Sequence, residues 1–223
     1  MNMANERRYI PALRFRWLTG LYDPVLRITT REATFKKLLV EQAAVETGRI
    51  LDLGCGTATL TVMLKRRCPS AEVAGLDGDP QILEIAGRKV ASAGVDIELI
   101  EGLAYDPPMD PGSFDRVVSS LVFHHLRDDD KRTTFSRVRD LLKPGGELHI
   151  ADWGQAANPL MRFAFLGVQL LDGFETTSAN VRGELPSMMS AAGFSEVSET
   201  RRLSTMFGTI SLYRAVVPTP EAP

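Results

Sequence analysis

Histidine, cysteine and an excess of charge of either sign are all scarce in this chain of 223 residues. The two cysteines, Cys55 and Cys68, are too few and too far apart for a disulfide framework or a zinc site, and Cys55 lies inside a glycine-rich turn that a disulfide would tie up. They read as free thiols of a reducing compartment, and no metal is expected. Lysine and arginine number 26 against 28 aspartates and glutamates, a net charge of -2, so no basic stripe is available for nucleic acid or anionic lipid. A small or neutral partner is expected instead. The longest apolar segment, "LMRFAFLGVQLL" at 160–171, carries Arg162 and Gln169 and is too short to span a bilayer. The start, "MNMANERRYIPALRF", holds no apolar stretch of signal-peptide length, and Pro11 interrupts any helix there, so a cytoplasmic location is expected. Nothing in the sequence sets an oligomeric state.

What is present is a rhythm. With 44% hydrophobic residues the chain can build one substantial core. In "TREATFKKLLVEQAAVE", Phe35, Leu38, Leu39, Gln42 and Ala43 fall on one helical stripe, with Thr30 as a cap. Then come a strand in "RILDL", a helix in "TATLTVMLKRR", a strand in "EVAGLD", and a helix opened by Pro80 and closed by Gly94. "IELIE", "RVVSSLV" and "ELHIAD" continue the strands, with a helix through "KRTTFSRVRDLL" ended by "KPGG". Strands alternating with helices imply right-handed crossovers and a parallel sheet covered on both faces. The last third departs from this: an apolar helix at about 160–172 precedes two β-like runs, "SEVSETRRL" and "TMFGTISLYRAVV", whose short connection forces antiparallel pairing. The expected organisation is an N-terminal segment over residues 1–30, a domain over 31–216 with a helical insertion at about 154–180, and a frayed tail at 217–223.

The densest signal is "ILDLGCGTATL" at 50–60, where Gly54 and Gly56 crowd the end of the first strand. In an open α/β sheet ligands bind beyond the carboxyl ends of the strands, and glycines there admit positive φ and close approach to the backbone. The following helix offers unpaired N–H groups to something polar. Position 59 is threonine where the dinucleotide fingerprint needs a third glycine, which disfavours an NAD-dependent oxidoreductase. Asp77, 21 residues after Gly56, ends the second strand where a carboxylate can accept both hydroxyls of a ribose. Taken alone, the turn also reads as a tight strand-to-helix connection without a ligand.

Together, "ILDLGCGTA", "GLDGDPQIL", "GSFDRVVSSLVFHHL", "LLKPGGEL" and "AAGF" resemble the class I S-adenosylmethionine-dependent methyltransferases, in particular the small-molecule branch that includes quinone C-methyltransferases. The resemblance implies a Rossmann-like three-layer sandwich with a seven-stranded, mostly parallel sheet whose last strand is antiparallel. It implies that Asp52, Gly54 and Gly56 receive the methionyl part of the cofactor and that Asp77 binds the ribose. Gly78 and Ile82 fall where adenine packs, and Ser119, Ser120 and Leu121 fall near the sulfonium. One departure stands out: many relatives have Gly-Asp-Ala after the third strand, whereas this chain has Gly102, Leu103 and Ala104. The backbone of Leu103 and Ala104, or nearby Asp106, is left to hold the adenine.

Methyl transfer from a sulfonium needs positioning more than acid or base, and a base only where the nucleophile keeps its proton at neutral pH. His124 and His125, after the fourth strand, are either that base or part of a packed strand-to-helix turn; His149 reads as a core histidine. Tyr22, Asp152 and Trp153 are candidates to face the acceptor, with Tyr22 and Trp153 equally legible as apolar anchors. The insertion reads as a lid over an apolar or aromatic acceptor, or as ordinary core. The expected function is methyl transfer from S-adenosylmethionine to oxygen, carbon or nitrogen of a small molecule; the alternative is a protein that binds S-adenosylmethionine or S-adenosylhomocysteine without turnover. Nucleic-acid methylation is disfavoured, since "SSLVFHHL" stands where amino-methylating enzymes carry an Asn-Pro-Pro-aromatic tetrad.

Overall fold

A computed structural model describes residues 31–220. Helix α1 (Glu32–Ala43) buries Phe35, Leu39, Val40 and Ala43. Its N-cap position is Arg31, at φ 57, while the expected cap Thr30 lies outside the described residues. Strand β1 (Arg49–Leu53), helix α2 (Thr59–Arg67), strand β2 (Glu72–Asp77), helix α3 (Pro80–Ala93) and strand β3 (Glu98–Glu101) form two successive strand–helix–strand units with parallel strands. Helix α3 starts because the Asp79 carboxylate accepts from the N–H groups of Gln81 and Ile82 with Pro80 at the first position, and ends at left-handed Gly94. Strand β4 (Phe114–Ser120) leads through a single 3₁₀ turn (Phe123–His125) into helix α4 (Asp128–Leu141) and strand β5 (Leu142–Trp153).

The sheet order is β3-β2-β1-β4-β5-β7-β6, with β6 (Ser195–Ser204) and β7 (Thr209–Val216) closing it. The first five strands pair in parallel, and β7 runs antiparallel to both β5 and β6. The antiparallel last strand is as expected, and it lies inside the sheet, between β5 and β6. Composition explains the order. "TISLYRAV" is buried along nearly its whole length, which suits a strand with neighbours on both sides, whereas no residue of "SEVSETRRLS" is fully buried, which suits an edge.

Alternation along β1 divides the core. Leu51 and Leu53 face one layer with Phe123, Phe135 and Val138, where α4 and helix α7 (Leu185–Ala191) pack. Ile50 faces the other with Phe35, Leu39, Leu60, Trp153 and Phe165, where α1, α2 and helix α5 (Pro159–Asp172) pack. Helix α6 (Phe174–Arg182) packs against α5 and the 3₁₀ turn. Val217, expected at the start of the tail, is buried in the first layer, and its N–H donates to Gly146. Among the described residues no helix is long and apolar enough to cross a membrane, and Cys55 and Cys68 are buried free thiols. The chain runs from β1 outward through β2 and β3 and then returns to β4, so the order reverses beside β1 and opens a crevice beyond the ends of β1 and β4.

Candidate functional site

A cavity of about 340 Å³ fills that crevice. Its floor is the glycine turn, where the N–H groups of Gly54 and Cys55 both donate to the Leu76 carbonyl at 2.8 Å. The two glycines are needed for different reasons. A Cβ on Gly54, at φ 73, would sit 2.3 Å from Val122 Cγ2, so this glycine lets the β4 loop close over β1. A Cβ on Gly56, at φ 53, would meet nothing within 4 Å among the described residues, and this glycine borders the cavity itself. The N–H of Gly56 donates to Asp77 Oδ2 at 2.9 Å and that of Asp79 to Oδ1 at 3.0 Å. Two backbone donors thus fix a carboxylate at the cavity wall, and each oxygen retains a lone pair for a further donor.

Gly78, Gly102, Leu103 and Ala104 line the cavity beside Asp77. The N–H of Gly102 donates to the Asp77 carbonyl, and Leu103 is bridged to Asp106, which tightens this wall. On the β4 side Ser120 and Leu121 line it. Leu121 is held at φ 58, a conformation costly for a branched residue, and Ser120 Oγ is buried with no hydrogen-bond partner among the described residues. A strained residue, an orphaned hydroxyl and an open carboxylate around one cavity fit a polar ligand with a nucleoside portion.

Other expected site residues lie behind the wall. Asp52 is buried on the α1 and α2 side, where Thr61 Oγ1 donates to its Oδ2 at 2.6 Å and Oδ1 has no partner among the described residues. Burial pushes its carboxyl up to about 6, against the pull of Thr61 and Lys36. Ser119 spends its hydroxyl on the Leu53 carbonyl, and Ile82 serves the first turn of α3 through its N–H. Neither borders the cavity. Tyr22 lies outside the described residues.

The paired histidines separate. His124 is buried with Nδ1 2.8 Å from Asp152 Oδ1, whereas His125 borders the cavity with its ring 3.9 Å from that of His124. Burial, then the neighbouring His124 and Lys131, hold His125 well below the ordinary histidine range, so it is neutral. Asp152 is fully buried and also accepts from the N–H groups of Phe123 and Trp153 and the amide of Asn180. It braces the 3₁₀ turn instead of facing the cavity, and Trp153 packs on Phe165. Among the described residues helix α5 contributes none to the cavity wall; Phe165 and Val168 face the core, and Leu160, Phe163 and Leu170 face outward.

Sequence reading missed several wall residues, chiefly Glu32 and Lys36 of α1, Tyr105 and Asp130. The first pair carried a signal: an acid and a lysine four apart on the first turns of the helix preceding the glycine strand.

Over residues 50–146 the sequence matches the family described as a methyltransferase domain. A demethylmenaquinone methyltransferase of Thermus thermophilus is 38% identical over 105 residues, which are 47% of this chain and 47% of that protein, so the chain matches about half the length of that relative. An uncharacterised methyltransferase of Synechocystis is 33% identical over 191 residues, 82% of this chain and 85% of that one. Among solved structures, phosphoethanolamine N-methyltransferase 2 of Haemonchus contortus, in complex with phosphomonomethylethanolamine and S-adenosylhomocysteine, superposes with a TM-score of 0.68 at 17% identity, over 83% of this chain and 53% of that one. With a relative of this identity matched along most of its length, and with the fold and crevice described above, the chain belongs to the class I S-adenosylmethionine-dependent methyltransferases.

Proposed function

We propose that the protein transfers a methyl group from S-adenosylmethionine to a small, apolar or aromatic acceptor of the quinol kind, in the cytoplasm. The carrying observation is the single cavity that the Asp77 carboxylate, the Gly56 turn and a neutral His125 line together. When bound, S-adenosylmethionine supplies an electrophilic methyl on a sulfonium and leaves as S-adenosylhomocysteine. In this reading Asp77 accepts the ribose hydroxyls, Gly78, Gly102, Leu103 and Ala104 flank the adenine, and Ser120 and Leu121 flank the sulfur. The adenine then rests on backbone and apolar contact where relatives use an aspartate.

In this reading His125 takes a proton from an acceptor hydroxyl, because it is the histidine that borders the cavity. His124 orients it through the ring contact and is itself oriented by Asp152. The apolar side chains of Leu121, Val122 and Leu126 exclude water around the acceptor. The demethylmenaquinone methyltransferase relative supports an aromatic quinol as the class to try first.

Calorimetric titration with S-adenosylmethionine, S-adenosylhomocysteine and NADH tests the cofactor. Saturable binding of the first two and none of NADH is expected. Incubation with methyl-labelled S-adenosylmethionine and demethylmenaquinol tests the acceptor, with label expected in the methylated quinol. Binding without transfer to this or any other aromatic acceptor would instead leave a binding protein without turnover.

A further inference from the structure

We infer that Lys36 and Glu32, on the first turns of α1, form a zwitterion clamp for the amino-acid end of the cofactor: Lys36 takes its carboxylate and Glu32 its ammonium. The inference rests on the cofactor reading above. Both side chains border the cavity, and among the described residues Lys36 is the only lysine or arginine that does so. Their orientation follows from packing. Phe35 and Leu39 are fully buried, which fixes the rotation of α1 about its axis and leaves positions 32 and 36, one turn apart, on the cavity side. Lys36 Nζ lies 2.5 Å from Glu32 Oε1, with side-chain exposures of 14% and 20%.

The clamp lies at the right end of the cavity. Asp77 and the Gly102 wall occupy the β2 and β3 side, whereas α1 packs over β4 and β5. Lys36 also acts on the buried Asp52 carboxyl behind the turn. A nucleoside whose ribose meets Asp77 directs its tail towards α1. A half-buried ion pair is a poor site for a lone cation or anion, since either would strand one partner's charge. A zwitterion does neither, because each end replaces the partner that it displaces. The pair therefore selects for a tail bearing both charges.

The test compares two ligands by calorimetry: S-adenosylhomocysteine, which carries the zwitterion, and 5′-methylthioadenosine, which has the same nucleoside and no amino-acid end. Wild-type protein is expected to bind the first more tightly. Lys36→Met is expected to weaken S-adenosylhomocysteine about tenfold or more and leave 5′-methylthioadenosine within twofold, with Glu32→Gln in the same direction. Unchanged affinity of Lys36→Met for S-adenosylhomocysteine would overturn the clamp. So would equal losses for both ligands, which would place Lys36 in the fold or at the nucleoside. If the wild type binds neither ligand, the cofactor reading fails first and the clamp with it.

Discussion

Asp77→Ala removes an acceptor that two backbone donors use and that, in the proposed function, a ribose shares. Two charge-assisted hydrogen bonds to the 2′ and 3′ hydroxyls are worth on the order of 1.5 to 3 kcal/mol each, so affinity for S-adenosylhomocysteine should fall by about two to four orders of magnitude. The same change strands the N–H groups of Gly56 and Asp79, which now donate to Asp77 Oδ2 and Oδ1 at 2.9 and 3.0 Å. Both residues are partly exposed and can turn to water, so the fold should lose only about 1 to 2 kcal/mol. Asp77→Asn separates the two effects. It keeps the volume, but its amide NH2 must face either a backbone N–H or a ribose hydroxyl, so it should fall between wild type and alanine in affinity. Calorimetry gives the affinities and thermal unfolding gives the stabilities. Both variants folded, with affinity within threefold of wild type, would refute the ribose assignment.

Gly54→Ala places a Cβ 2.3 Å from Val122 Cγ2 at φ 73, and should lower stability by about 2 to 4 kcal/mol; adding Val122→Ala should recover only part, because the backbone strain remains, and thermal melts of both variants check this. His125→Gln should reduce kcat by about a hundredfold or more while S-adenosylhomocysteine affinity stays put, and a parallel loss of affinity would make it a structural residue. Asp52→Asn tests the buried acid through pH. Its carboxyl titrates near 6 in the fold against 3.8 unfolded, so ionisation opposes folding above about pH 6 and costs nothing below about pH 4. The variant should therefore gain on wild type by up to roughly 3 kcal/mol at pH 7.5, keep about 1 kcal/mol of that at pH 4.5 and lose nearly all of it by pH 3.5, and a pH-independent difference in melting would contradict the assignment.

The backbone of the fold was legible where local chemistry and tertiary need coincide. Pro80 and Gly94 bound α3 because one lacks an N–H that the first turn does not need and the other adopts φ 63 freely. The parallel half of the sheet follows from apolar runs alternating with amphipathic helices. The position of β7 inside the sheet was not legible, because antiparallel pairing with β6 is a local consequence of a short loop, whereas pairing with β5 is a contact between residues such as Ile150 and Tyr213 far apart in the chain. The exposed face of β6 and the buried length of β7 record that outcome in their composition, yet only relative to each other.

Three aspartates show why the site was legible only in part. Asp52, Asp77 and Asp152 all end or nearly end an apolar strand on the crevice side of the sheet, and local sequence does not separate them. What separates them is the set of donors each meets. Asp152 meets two backbone N–H groups, a histidine and an asparagine brought from the 3₁₀ turn and α6, and so becomes a brace for His124. Asp52 meets Thr61 and a low-dielectric layer under α1, which favours its protonated form. Asp77 meets two backbone N–H groups on one side and the cavity on the other, so it alone combines fixed geometry with open lone pairs. The same logic divides the histidines. His124 is committed to Asp152 behind the wall, and its neighbour, one residue further along a 3₁₀ turn, reaches the cavity uncharged. Residue type and spacing nominate the candidates, and the donors supplied by distant segments decide which of them meets the ligand.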